Sequence, residues 1–216
     1  METIVFKLFY LNNVFMALIV FEGLDGVGKT TQMKKFISEL IEAEVPIHHH
    51  KYPKPNKDSP IYQHLKEKAK HSPEEMMNFY LQEMEDDLFL LTEENKEGII
   101  ILSRYFYSTI SYQGQNLGIE KVVKEIKRRN LLTPDYVIWF DINQDISMKR
   151  RAETGEAHIF EKNLEMQIKC REIYNQLYEE KPFEAKWIKI DISNKSIEEV
   201  WSELKDKVLY PILKRA

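Results

Sequence analysis

Residues Gly23-Leu24-Asp25-Gly26-Val27-Gly28-Lys29-Thr30 fill every fixed position of G-x-x-x-x-G-K-[ST], the spacing of a loop that cradles phosphates. Each residue type has a task in that chemistry. Gly23, Gly26 and Gly28 let the backbone wrap so that its N–H groups, those around Asp25 and Val27 included, point at phosphate oxygens. Lys29 is expected to reach the β- and γ-phosphates, and the Thr30 hydroxyl to ligate Mg²⁺. Thr31 continues into a helix whose N-terminus adds partial positive charge at the same place. The implied ligand is a nucleotide.

Such a loop works only between a strand and a helix, and both are legible. Ala17-Leu18-Ile19-Val20-Phe21 is a short apolar run suited to a buried parallel strand. After the loop, apolar residues Met33, Phe36, Ile37, Leu40 and Ile41 recur at helical spacing. Further strands are expected at Pro46–Lys51, Gly98–Leu102, Tyr136–Asp141 and Lys186–Ile190. Helical stretches near 59–70, 73–96, 104–113, 119–130, 144–153, 160–180 and 196–213 alternate with them. This pattern predicts an α/β fold of the P-loop NTPase kind: a five-stranded, mainly parallel sheet with helices on both faces. Ser72-Pro73-Glu74-Glu75 reads as an N-cap, a first-turn proline and two acids at the positive end of a helix, and Ser196 with Glu199 as a capping box. Asn143 and Asp145 are alternative caps for the helix leading to Lys149, Arg150 and Arg151.

The 216 residues suit one α/β domain with a full core. Hydrophobic residues at 43% and charged residues at 31% describe an ordinary globular chain rather than a disordered one. A net charge of −4 argues against a general nucleic-acid binder. Cys170 is the single cysteine, which leaves no internal disulfide or thiol metal cluster and reads as cytoplasmic. Residues 1–15 are apolar but interrupted by Glu2, Lys7, Asn12 and Asn13, too broken for a membrane span and without a signal-peptide pattern. They read as an N-terminal extension or a misassigned start before Met16, or as a docked extra strand, with the P-loop domain over 16–216. His48-His49-His50 suggest a metal site, but neighbouring strand residues point to opposite faces, so a strand end or solvated loop is expected.

Phe21-Glu22-Gly23-Leu24-Asp25 running into Gly28-Lys29-Thr30-Thr31-Gln32 resembles the opening of the thymidylate kinase family. Four more segments match in order: Tyr52-Pro53, Ser103 to Gln113, Pro134 through Asp141 to Arg150, and Asp191 to Val200. The resemblance covers residues 17 to about 212. It implies Mg²⁺-dependent transfer of the ATP γ-phosphoryl group to dTMP, in a homodimer that involves neither nucleic acid nor membrane.

By the same resemblance Asp25 contacts the acceptor's sugar hydroxyl or the metal shell, and Arg104 clamps the acceptor phosphate through its guanidinium fork. Tyr80 stacks on the base, Thr109 and Tyr112 face the base and the sugar 2′ side, and Tyr52 and Ser108 complete the acceptor site, with Gln113 a weaker member. Arg150 borders the adenine ahead of a short LID, Ala152 to His158, and Asn194 lies in the adenine-side loop. The catalytic set is Lys29, Arg104 and Arg150. Several residues depart from the family pattern. Ser103 stands in place of an Asp, Met84 in place of an Arg, Thr154 in place of the second LID Arg, and His158 in place of an Asp. Lys54 is a loose candidate for the phosphate-binding basic residue after Tyr52-Pro53. A kinase of the same fold acting on another nucleotide or nucleoside, or a catalytically weak ATP-binding protein, remains an alternative. No Asn-Lys-x-Asp guanine-reading segment is present, which argues against a GTPase.

Overall fold

Strands that are apolar on every residue must be covered on both faces, and alternation along them builds two cores. The computed structural model describes residues 16–54, 70–143, 146 and 164–214. Strands β1 (Ala17–Gly23), β2 (Ile47–Lys51), β3 (Ile99–Ser103), β4 (Tyr136–Asp141) and β5 (Lys186–Asp191) form one sheet in the order β2-β3-β1-β4-β5. Every pairing is parallel. β1 is central, with Ile19 paired to Ile101 on one side and to Tyr136 on the other.

On one face, Ala17, Ile19 and Phe21 join Ile99, Ile101 and Ile138 under α1 (Lys29–Glu42) and the C-terminal helices. Phe36 of α1 meets Phe21 edge-on at 5.5 Å and is fully buried, a contribution of roughly 2 kcal/mol or more. On the other face, Leu18 and Val20 join Ile100, Leu102 and Val137. That face is covered by α2 (Pro73–Asp86), α3 (Leu88–Glu94), α4 (Phe106–Leu117), α5 (Ile119–Arg129) and α6 (Leu164–Glu180).

Both expected capping boxes are present, Ser72 with Glu75 at α2 and Ser196 with Glu199 at α7 (Ile197–Leu204). The helix expected over 73–96 is two helices. The chain breaks at Asp87, whose carboxylate turns inward to accept the Tyr52 hydroxyl at 2.9 Å and the Lys54 ammonium at 2.5 Å. The helix expected from 104 begins at Phe106, because Arg104 is left-handed (φ 67) and Tyr105 extended. The last helix is interrupted by a wide turn over Lys205–Leu209 before α8 (Tyr210–Leu213). Pro211 lacks an N–H and its ring would strike the carbonyl one turn back, and the wider turn relieves both.

The three histidines lie within β2, against Ile100 to Leu102 of β3, rather than at a strand end or in a solvated loop. His49 faces away from the other two, as alternation requires. His48 and His50 share a face and converge on Glu94 of α3, at 3.4 Å and 2.5 Å. Among the described residues no cluster of His, Cys, Asp and Glu is arranged to hold a metal ion. No helix of the described residues is long and apolar enough to cross a membrane. Residues 1–15, 55–69, 144–145, 147–163 and 215–216, and with them the helices expected near 59–70 and 144–153, Arg150 and the LID at 152–158, lie outside the described residues.

Candidate active site

The site is assembled at the C-terminal ends of the strands, where β1 gives way to the glycine loop and β3 to Arg104. Gly23 has φ 134, and a Cβ there would lie 2.6 Å from the Phe140 carbonyl oxygen of β4, so only glycine lets the loop leave the sheet at this point. Gly28 (φ 84) precedes α1, and its carbonyl accepts the Thr31 and Gln32 N–H groups at 3.1 and 3.3 Å. No side chain caps that N-terminus, so its backbone donors remain available to an anion. Thr30 and Thr31 are exposed on the first turn.

Lys29 is buried, and its Nζ donates to the Gly23 and Leu24 carbonyl oxygens at 2.9 and 2.6 Å. Burial first, and then the nearby Arg104 cation, bring its pKa down to about 7, against a partial pull upward from Asp25 and Glu22. Arg104 sits across the loop. Its guanidinium donates to Asp25 Oδ1 at 2.6 Å and to Ser108 Oγ at 2.8 Å, and lies 5.5 Å from the centre of the Tyr112 ring. Burial opposes its charge, but the Tyr174, Tyr112, Asp25 and Glu22 oxygens around it more than offset that and hold it firmly protonated.

Next to this pair opens a cavity of about 420 Å³, a size that suits a nucleotide's base and sugar. All seven residues expected at the acceptor (Asp25, Tyr52, Tyr80, Arg104, Ser108, Thr109 and Tyr112) line it. β1, β2, α2, β3 and α4 each contribute to or lead into that wall. Tyr80 is half-buried on α2, and burial chiefly, partly opposed by Arg104, pushes its hydroxyl up to about 12, so the ring presents a neutral phenol at physiological pH. Met84, one turn along α2, and Gln113 of α4 line the cavity too. Lys54 is at the rim, with Nζ on Asp87 and its backbone N–H on Glu83 at 3.1 Å.

Ser103 ends β3 on the same face as Ile99 and Ile101, the side of α1 and the glycine loop. Asn194 is exposed in the loop between β5 and α7, and the start of α7 is tied to α1 by the Gln32 side chain donating to the Ile197 carbonyl at 2.8 Å. Three residues at the site carried no role in the sequence reading. Lys51, at the end of β2, and Tyr105 line the cavity. Glu22, wholly buried, accepts four hydrogen bonds beneath Arg104. An acid at the end of an otherwise apolar strand is the only local sign of it.

Hard oxygen donors near the loop, the exposed Thr30 hydroxyl and the exposed Asp25 carboxylate, are the chemistry that Mg²⁺ takes when it also keeps waters and phosphate oxygens. A glycine loop, a buried lysine and an arginine at an acceptor-sized cavity together suit phosphoryl transfer, where positioning and charge stabilisation carry the catalysis.

The comparisons with known proteins agree with that chemistry. A family model described as thymidylate kinase matches residues 21–204. A probable thymidylate kinase of Methanococcus maripaludis strain C7 is 32% identical over 195 residues, 88% of this chain and 94% of the relative. A thymidylate kinase of Leptospira interrogans serovar copenhageni is 30% identical over 164 residues, 74% of this chain and 80% of its own length. A probable thymidylate kinase of Archaeoglobus fulgidus is 30% identical over 149 residues, 67% of this chain and 74% of the relative. With the family matched over most of its length, this chain belongs to the thymidylate kinase family of kinases.

Proposed function

We propose that this chain transfers the γ-phosphoryl group of MgATP to the 5′-phosphate of dTMP, giving dTDP and ADP. The observation that carries the reading is the Arg104–Asp25 contact at 2.6 Å, which joins the acceptor cavity to the phosphate loop across a single ion pair. Two phosphates meeting in line need that adjacency. Lys29 releases the Gly23 and Leu24 carbonyls to take the β- and γ-oxygens, and the α1 backbone donors hold the rest of the triphosphate. Arg104 turns its fork from Asp25 to the acceptor phosphate, which frees Asp25 for the sugar hydroxyl or the metal shell. Bound Mg²⁺ supplies charge neutralisation on the triphosphate, with Thr30 as its protein ligand. Tyr80 stacks on the base, while Thr109 and Tyr112 border the base and sugar. Arg150 and Asn194 belong to the adenine side.

The apolar surface on α3, with Phe89 79% and Leu90 44% exposed, is the face we assign to a homodimer. The enzyme acts in the cytoplasm. One observation favours a shifted acceptor: Met84 places a thioether, not a cation, in the cavity wall. A phosphotransfer panel with dTMP, dUMP, dCMP, dGMP, UMP and thymidine separates the readings. We expect dTMP to give the highest kcat/KM. A higher value for another acceptor would move the assignment to that nucleotide or nucleoside, and ATP binding without transfer to any of them would defeat it.

A further inference from the structure

A carboxylate with no solvent exposure, near enough to Lys29 and Arg104 for its charge to act on both, requires an explanation that packing alone does not supply. Glu22 is 0% exposed at the end of β1, one residue before the glycine loop. Its Oε1 accepts the backbone N–H of Tyr105 at 2.8 Å and of Ser108 at 3.3 Å. Its Oε2 accepts the Ser108 hydroxyl at 2.6 Å and the Tyr174 hydroxyl of α6 at 2.8 Å. All of these donors belong to the segment that carries Arg104 or to the helix behind it.

Helix α4 begins at Phe106 with Tyr105 as its cap residue, and no side chain of its own caps it. The Tyr105 N–H at that end is instead satisfied by Glu22 from another element, and the Ser108 N–H is shared between the Tyr105 carbonyl at 3.0 Å and Glu22 at 3.3 Å. A buried negative charge at a helix N-terminus is also favoured by the helix dipole. Arg104, immediately before, is held left-handed (φ 67), a conformation that costs a non-glycine residue about 1 kcal/mol or more. It persists because both sides of it are pinned. The Arg104 N–H donates to the Phe21 carbonyl at 3.0 Å, and the next N–H, that of Tyr105, goes to Glu22. The side chain is reached as well. The Ser108 hydroxyl gives its proton to Glu22 and so presents a lone pair to the Arg104 guanidinium at 2.8 Å.

We infer that Glu22 is a positioning residue for the acceptor phosphate: it caps α4 from β1 and, through Ser108, aims Arg104 across the phosphate loop. The inference rests on the proposed role of Arg104. Glu22 touches no reacting atom. It acts by fixing the backbone that carries Arg104 and the polarity of the hydroxyl that Arg104 leans on. A neutral amide at the same position is nearly isosteric but donates toward Ser108 and Tyr174, which reverses the direction of the hydroxyl bond.

The test uses Glu22→Gln, Ser108→Ala and the double variant in the full chain. Misplacing a clamping group by about an ångström costs on the order of 10²-fold. Each single variant is therefore expected to lower kcat/KM for dTMP by about 10- to 100-fold, while KM for ATP changes less than about threefold. Because the two residues act in one chain of bonds, the double variant should lose little more than the worse single one. An Arg104 Nε–H resonance, assigned by its loss in Arg104→Lys, should shift or broaden in both variants. That readout needs no turnover, so it still tests the inference if dTMP proves not to be the acceptor. A merely structural Glu22 would lower the melting temperature, leave the folded fraction with normal acceptor kinetics and leave the Arg104 resonance in place. That result, or additive losses in the double variant, overturns the inference. If Glu22→Gln does not fold, Ser108→Ala alone decides, since it removes the link and leaves the cap.

Discussion

Lys29 should take up a proton when nucleotide binds. Its ammonium is buried against two carbonyl oxygens, with Arg104 nearby, and titrates at about 7 instead of 10.5, a displacement on the order of 5 kcal/mol against the charged form. At pH 8 a group of that pKa is about one-tenth protonated. Phosphate oxygens in contact with it favour the cation, and a pKa raised to ~9 or above makes it about nine-tenths protonated at pH 8. Binding MgADP, whose phosphates are fully ionised at that pH, should then absorb about 0.8 proton. The same binding at pH 6 should absorb only ~0.1 proton, because Lys29 is already charged there. The sign is fixed by the direction of the shift. The bound state holds more protons above pH 7, so affinity falls as pH rises, by roughly sixfold per pH unit near pH 8. Calorimetric titrations in buffers of different ionisation enthalpy measure the uptake directly. In Lys29→Ala the uptake should vanish, and phosphoryl transfer should drop by at least ~10²-fold. An uptake near zero at pH 8 in the native chain would mean that Lys29 is already charged before the phosphates arrive, against the depressed pKa.

Three further outcomes are expected. Ser103→Asp adds a hard oxygen ligand on the loop side of β3 and should raise kcat with dTMP and lower the Mg²⁺ concentration at half-maximal rate; unchanged or lower kcat with every acceptor, in a folded variant, would instead mark Ser103 as part of a re-tuned acceptor site. The hydrogen bond from Arg128 is the largest cause, and with that from Arg129 it outweighs the opposing cost of burial and holds Glu125 at about 2, below its ordinary 4.5, so its stabilisation is complete above pH 4.5 and is lost as pH falls toward 2. Glu125→Gln should therefore cost about 1 kcal/mol at pH 7, after allowance for the exposure of Arg128, and flatten acid unfolding over that range; an unchanged acid transition would count against it. Phe89→Asp should turn a dimer into a monomer by sedimentation, and a native chain already monomeric at micromolar concentration would remove the α3 interface.

The parts of this site that are legible in the sequence are those whose chemistry is contiguous. Gly23 to Thr30 do one task in eight consecutive residues, and the apolar run before them can only be a buried strand, so loop, strand and helix are read together. The acceptor cavity is different. Tyr52, Tyr80 and Thr109 come from separate elements, and only the ordered likeness to a family brings them to one place before the fold does. Glu22 stays hidden for a stronger reason. Its partners Tyr105 and Tyr174 lie 83 and 152 residues along the chain, and nothing in the local pattern marks a strand-end acid as the cap of a distant helix. The same contact accounts for the misplaced start of α4. Helical periodicity continues back through Arg104, and intrinsic preference gives an arginine no reason to turn left-handed. The turn is imposed from β1, by the Phe21 carbonyl before it and the Glu22 carboxylate after it. Local preference and long-range bonding disagree at Arg104, a residue that lines the cavity, and a strained backbone at such a place is what a functional role for its side chain predicts.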